Sequence, residues 1–228
     1  IYVAIGLSGL CALGGEVVWT RLLSLLLGAT VYTFSIILAV YLLGLGIGSS
    51  LGAAIARSSP QPRRDLGVCQ ALLALAIAWS AFMLSRSLPY WPVAPSLTRD
   101  PWIGFQLDIV RCLWTLLPAT VLWGASFPLA LAAAARGQDP GRLVAGVYAA
   151  NTVGAIAGAL GFSFLVIPSF GTQVAQQALV ALSAVVGLAL LAPGAWPPWM
   201  SMARGLRAFG FVAAALLAAW LVARVPAI

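Results

Sequence analysis

The stretch VYAANTVGAIAGALGFSFLVIP, residues 147 to 168, is apolar enough to sit in lipid, yet it contains Asn151, Gly154, Gly158 and Gly161. Lipid tails are as apolar as leucine, so helices in a bilayer gain little by burying grease. They associate by close backbone packing, which small side chains permit. On a helix, residues four apart share a face. Gly146, Ala150, Gly154 and Gly158 therefore form one narrow row, and Gly44, Gly48, Gly52 and Ala56 form a second. Two such rows predict two tight helix contacts, made either with each other or with other helices.

The rest of the chain points to the same class. Of 228 residues, 62% are hydrophobic and 7% charged, against about 25% charged in soluble domains, and the mean hydropathy is +1.04. Apolar runs of about 20 residues recur, long enough for helices to cross roughly 30 Å of hydrocarbon, whereas barrel strands would alternate over about ten. The fold class is all-α: a polytopic transmembrane helical bundle of about seven spans, forming a single domain over residues 1–228. The spans are expected at 2–27, 31–56, 66–87, 106–135, 142–167, 173–192 and 204–225. The first run lacks a basic start and contains Glu16 and Arg21, so it reads as a retained span rather than a signal peptide.

The twelve basic residues are all arginine, and the net charge is +7. They are scattered singly, which makes no nucleic-acid patch; in a membrane protein such a surplus marks cytoplasmic loops. Arg57, Arg63 and Arg64, then Arg136 and Arg142, then Arg204 and Arg207 fall in loops on one side of the seven spans. That side is expected to be cytoplasmic, with the N-terminus inside, although Arg86, Arg99 and Arg111 run against the rule. The connection SLPYWPVAPSLTRDPWIGF, residues 87 to 105, carries Tyr90, Trp91 and Trp102 and is expected to lie along the outer interface.

Little here supports catalysis. Cys11, Cys69 and Cys112 are isolated and there is no histidine, so no metal site and no haem or iron–sulfur ligation is expected. LGLGIGSSLG, residues 43 to 52, fails GxGxxG and sits inside an apolar span, which argues against a nucleotide loop. Five acidic residues without histidine or lysine provide no general acid and base pair. No cofactor is expected, and the segment alone does not read as an enzyme.

Polar groups within the spans are the candidate site. Ionisable side chains cost at least about 2.5 kcal/mol at mid-bilayer unless paired or hydrated, so Glu16 and Arg21 need a reason. Five apart, they point about 140° away from each other and are poorly placed to pair on one helix. Asn151, one turn from Tyr148, is placed either to clamp a neighbouring helix or to line a cavity. Asp108 and Arg111, three apart, suit a local ion pair, and Pro118 and Pro128 should bend the fourth span.

Three stretches also carry a family likeness: EVVWTRLLSLLLGATVYTFSIILAVYLLGLGIGSSLGAAIA (16–56), LLPATVLWGASFPLALAAAA (116–135) and VYAANTVGAIAGALGFSFLVIPSFG (147–171). In that order they resemble the membrane region of bacterial fused MFS/spermidine synthase-like proteins, with EVVWTR, GASFP and YAANTxGA the specific motifs. The resemblance implies a helical region joined to an aminopropyltransferase-like domain, which moves an aminopropyl group from decarboxylated S-adenosylmethionine to a polyamine. That soluble synthase-like domain is not present in these 228 residues.

The resemblance further implies an integral protein of the bacterial inner membrane. It would act as a membrane anchor or assembly scaffold for a fused or separate synthase-like domain or other membrane subunits, with lipid as its surroundings. The alternative is a transporter-like domain for a cationic small molecule such as a polyamine, with Glu16 supplying negative charge and Tyr148 and Asn151 lining the site. GSSLGAAIARSSPQPRR (48–64) and GASFPLALAAAARGQDPGR (124–142) echo each other and loosely resemble an MFS loop, which hints at an internal duplication.

Overall fold

The computed structural model describes residues 1–91, 100–135, 139–192 and 204–226. Among them the regular structure is entirely helical: α1 (Tyr2–Leu27), α2 (Val31–Ser58), α3 (Pro62–Phe82), α4 (Pro101–Ala134), α5 (Pro140–Gly161), α6 (Ile167–Leu191) and α7 (Arg204–Arg224). A π-helical turn, Met83–Ser87, and a 3-10 turn, Leu88–Tyr90, extend α3, and a second π-helical turn, Phe162–Val166, joins α5 to α6.

Local chemistry explains the helix ends. Gly28, at φ 100, closes α1 and donates its N–H to the Ser24 carbonyl, and Thr30 caps α2 by accepting from the Thr33 N–H. α3 begins at Pro62 rather than at the expected 66. Proline suits a first turn, and the Ser59 hydroxyl donates to Asp65 in that turn. α4 begins at Pro101 rather than 106 because Asp100 accepts from the Trp102 N–H at 2.8 Å, so the end of the expected loop 87–105 is helical. Residues 92–99 of that loop lie outside the described residues. Asp139 and Pro140 start α5 in the same way.

Five helical stretches are long and apolar enough to cross a membrane: Tyr2–Leu27, Val31–Ser58, Pro62–Tyr90, Pro101–Ala134 and Gly141–Leu191. The last is 51 residues long and breaks at Gly171, whose φ of 81 and ψ of 175 are not helical, so it divides into two. Among the described residues the spans thus number five to six. The expected seventh span, 204–225, falls on α7, of which Ala214–Arg224 is the part described in full, and that part is apolar.

Chain direction alternates from helix to helix, and two pairs lie parallel with backbones in contact. Along α2 and α4, a Cβ on Gly44 would overlap the Thr120 side chain, one on Gly48 the Val121 carbonyl, and one on Gly52 would lie 2.6 Å from Ala125 Cα. Along α5 and α1, a Cβ on Gly154 would overlap the Gly6 carbonyl, one on Gly158 the Leu10 carbonyl, and one on Gly146 would reach the Tyr2 ring at 3.0 Å. Ala150 is half-buried, with its carbonyl oxygen 3.2 Å from where a Cβ on Gly6 would sit. Ala56 packs against the core near the end of α2. The two rows therefore face two different helices. α3 runs antiparallel to both α4 and α6, with Gly187 close to Ala71 and Gly67 close to Leu191.

The segments 48–64 and 124–142 include the ends of α2 and α4, which lie side by side. The interior holds Trp19, Leu23, Ile37, Leu73, Ile77, Leu116 and Leu179, all fully buried. Leu42, Ile47, Leu51 and Ile55 on α2, Val153, Ile156 and Leu160 on α5, and Phe164 in the π-helical turn after it, face outward. Large apolar side chains line the surface while glycine lines the contacts, which suits a protein solvated by hydrocarbon.

Candidate functional site

The four polar residues singled out from the sequence do not meet. Arg21 is exposed at the far end of α1. Tyr148 is 63% exposed and faces away from the bundle. Asn151 is half-buried with its side-chain oxygen over Gly9 of α1, so close that a Cβ there would lie 2.7 Å away. It sits at the α1–α5 contact rather than in a cavity. Glu16 is half-buried on α1, and among the described residues it has no ion pair or hydrogen-bond partner. One turn earlier the Ala12 carbonyl accepts a 2.7 Å hydrogen bond from the buried Tyr41 hydroxyl of α2.

Uncharged polar residues, which the sequence reading passed over, form the interior network instead. Gln70 of α3 donates its amide to Ser8 of α1 at 2.9 Å and to Ser126 of α4 at 3.0 Å, tying three helices together. Ser126 donates to the Leu122 carbonyl, and the Cys69 thiol donates to the same carbonyl at 3.3 Å. Ser80 of α3 donates to the Thr115 carbonyl of α4 at 2.7 Å. On α6, Gln176 and Ser183 are fully buried, and Ser183 lies beside the Cys11 thiol of α1. Trp19, Trp123 and Tyr41 stack near mid-bundle, with ring centroids 5.2 Å and 6.1 Å apart. Trp123 fills the space that Gly15 leaves open. The signal for this network was a glutamine inside each of two apolar runs, which a search for charge does not register.

Other features lie at the edges. Asp108 and Arg111 form an ion pair at 3.2 Å, as their spacing suggests. A groove of about 430 Å³ opens on the outer surface between α2 and α4, lined by Tyr32, Ile36, Leu43, Phe105 and Ile109. A second groove, of about 310 Å³, lies between α3 and α7 beside Trp79 and Trp220. Gln173 and Gln177 of α6 donate to the Val225 and Val222 carbonyls and hold the end of α7. Among the described residues no group of histidine, cysteine, aspartate and glutamate converges as a metal site. This arrangement can orient helices; its described network contains no nucleophile paired with a base.

No family model matches the chain, and no solved structure matches it. Two curated proteins are similar to it. Polyamine aminopropyltransferase 2 of Streptomyces coelicolor is 34% identical over 185 residues, 79% of this chain and 31% of that protein. Polyamine aminopropyltransferase 1 of the same organism is 28% identical over 190 residues, 82% of this chain and 33% of that protein. The chain spans about a third of the length of the curated relatives it matches.

Proposed function

We propose that this chain is the membrane-embedded part of a polyamine aminopropyltransferase-like protein, where it anchors and helps to assemble a catalytic domain, fused or separate. One observation carries the reading: the likeness covers 79% of this chain but 31% of a protein named for aminopropyl transfer, and the matched residues here fold as apolar helices. Aminopropyl transfer is then assigned to sequence outside the likeness. The glycine rows serve as packing devices that keep the anchor compact. The bundle sits in a bacterial inner membrane, with its arginine-rich end and N-terminus toward the cytoplasm, where the catalytic domain would stand.

The transporter reading gains no observation of its own, since Glu16, Tyr148 and Asn151 point to different places. Deleting the codons for residues 1–228 in the producing bacterium tests the anchor. Aminopropyl transfer should move from the membrane fraction to the soluble fraction at an unchanged rate per enzyme molecule, and an unaltered distribution would overturn the proposal. In proteoliposomes, labelled spermidine uptake should equal that of protein-free vesicles; uptake lost on Glu16→Gln would establish transport instead.

A further inference from the structure

Arg111 Nε apart, the buried polar side-chain atoms without partners among the described residues stand along one seam of the bundle. Gln70, 1% exposed, gives its amide N–H groups to Ser8 and Ser126 but leaves Oε1 unpartnered. Ser183 Oγ has no partner besides the Cys11 thiol it lies against, and Gln176, 0% exposed, has none on either amide atom. The indole nitrogens of Trp19 and Trp123 are buried and unpartnered as well. These residues stand on the buried faces of α1, α3, α4 and α6.

Helix register orders them by height. Gln70 stands opposite Ser8, Ser183 beside Cys11, and Trp123 over Gly15. α6 runs antiparallel to α1, so Gln176, seven residues before Ser183, comes about level with Trp19. From Ser8 to Trp19 the seam rises about 16 Å, roughly half the hydrocarbon thickness. Bulk water does not reach such depth in a bilayer, and an unpaired buried amide or hydroxyl is costly.

The chemistry of the seam selects its occupant. Donors (the Gln176 amide and two indoles) are mixed with acceptors (Gln70 Oε1, Gln176 Oε1 and Ser183 Oγ), so the ligand must both donate and accept. None of these unpartnered atoms belongs to a carboxylate or guanidinium, so an ion held by them would have no counter-charge in direct contact. The surrounding Leu73, Ile77, Leu116 and Leu179 are fully buried, so the polar atoms of the seam are walled by hydrocarbon. We propose that the seam between α1, α3, α4 and α6 is a built hydration site, in which water bound to Gln176, Ser183 and Gln70 completes the hydrogen bonding.

The buried thiols test this. X-ray radiolysis of the protein in lipid nanodiscs, in ¹⁸O-labelled water, generates hydroxyl radicals from bound water that oxidise adjacent side chains. Cys11 and Cys112 are equally buried, at 1% and 0% exposure, and Cys11 alone of the two lies in the seam. Label at Cys11 should exceed that at Cys112 several-fold in the unaltered protein, and parity would overturn the proposal whatever any variant does. In a Gln176→Leu, Ser183→Ala double variant that keeps its helical circular dichroism, label at Cys11 should fall to the Cys112 level. Persistence there would also overturn the assignment. Gln176→Asn, which keeps the amide, should retain the label.

Discussion

Gly46 and Gly48 stand two residues apart on α2, yet a methyl group meets opposite fates at the two positions. On Gly48 it would overlap the Val121 carbonyl, a backbone atom that cannot rotate away; around Gly46 there is nothing within 4 Å. Gly48→Val should therefore separate α2 from α4 and destabilise the protein by about 1–3 kcal/mol or more, the usual range for overpacking. Gly46→Val should leave stability within about 0.5 kcal/mol, as for a surface position. Thermal unfolding of both variants in detergent, followed by circular dichroism, checks the contrast. The spacing of small residues was legible in the sequence, but their partners were not. Of the two possibilities left open, partners in each other or in other helices, the second holds: α4 offers Thr120, Val121 and Ala125, and α1 offers the backbone of Gly6 and Leu10. The interior polar residues were hard to see for another reason. Charge draws the eye to Glu16 and Arg21, whereas Gln70 and Gln176 are neutral and fully buried.

At the scale of the element, proline in α4 builds a contact rather than a break. The helix continues through Pro118 and Pro128. Pro118 lacks an N–H, so the carbonyl of Trp114, four residues earlier, is left without its helical donor. The Trp79 indole of α3 donates to that carbonyl at 3.1 Å, and the two tryptophan rings meet edge to face with centroids 5.7 Å apart. A double-mutant cycle should show the coupling. Trp79→Phe should cost about 0.5–1 kcal/mol in the native background, the scale of an interhelical hydrogen bond in a membrane. It should cost measurably less in a Pro118→Ala background, where the backbone N–H restored by the substitution competes for the carbonyl. Gly171 does the opposite job and interrupts a helix. The expected gap between spans at 167 and 173 brackets it, but the helix on either side runs closer to the break than hydropathy suggests, because Pro168 and the π-helical turn keep the backbone coiled. At φ 81 and ψ 175, Gly171 occupies a region essentially reserved for glycine. Gly171→Ala and Gly171→Asn should both cost about 1–3 kcal/mol in thermal unfolding. Asparagine rescues a left-handed helical position but not this one, so a stable Asn variant would show that the break can straighten.

For the whole molecule, alternation of helix direction sorts the arginines by end. In the sequence, Arg57, Arg63, Arg64, Arg136, Arg142, Arg204 and Arg207 fall in or beside the connections after α2, α4 and α6; Arg21, Arg86, Arg99, Arg111 and Arg224 belong with the ends and connections of the opposite side. Seven against five is a small excess, so orientation should rest on few charges and be easy to disturb. A fluorescent protein fused after Ser59 should shine and alkaline phosphatase fused there should be inactive, while fusions after Gly28 should behave in reverse. Removing charge from the richer end alone with Arg57→Gln and Arg63→Gln brings the ends to five each. The prediction is a mixed population in which both reporters show partial activity at both sites. Packing should not forbid it, because the glycine contacts between parallel helices are made within the bundle and survive inversion of the whole. A single orientation retained by the double variant would mean that tertiary contacts, rather than arginine excess, set the orientation of the bundle.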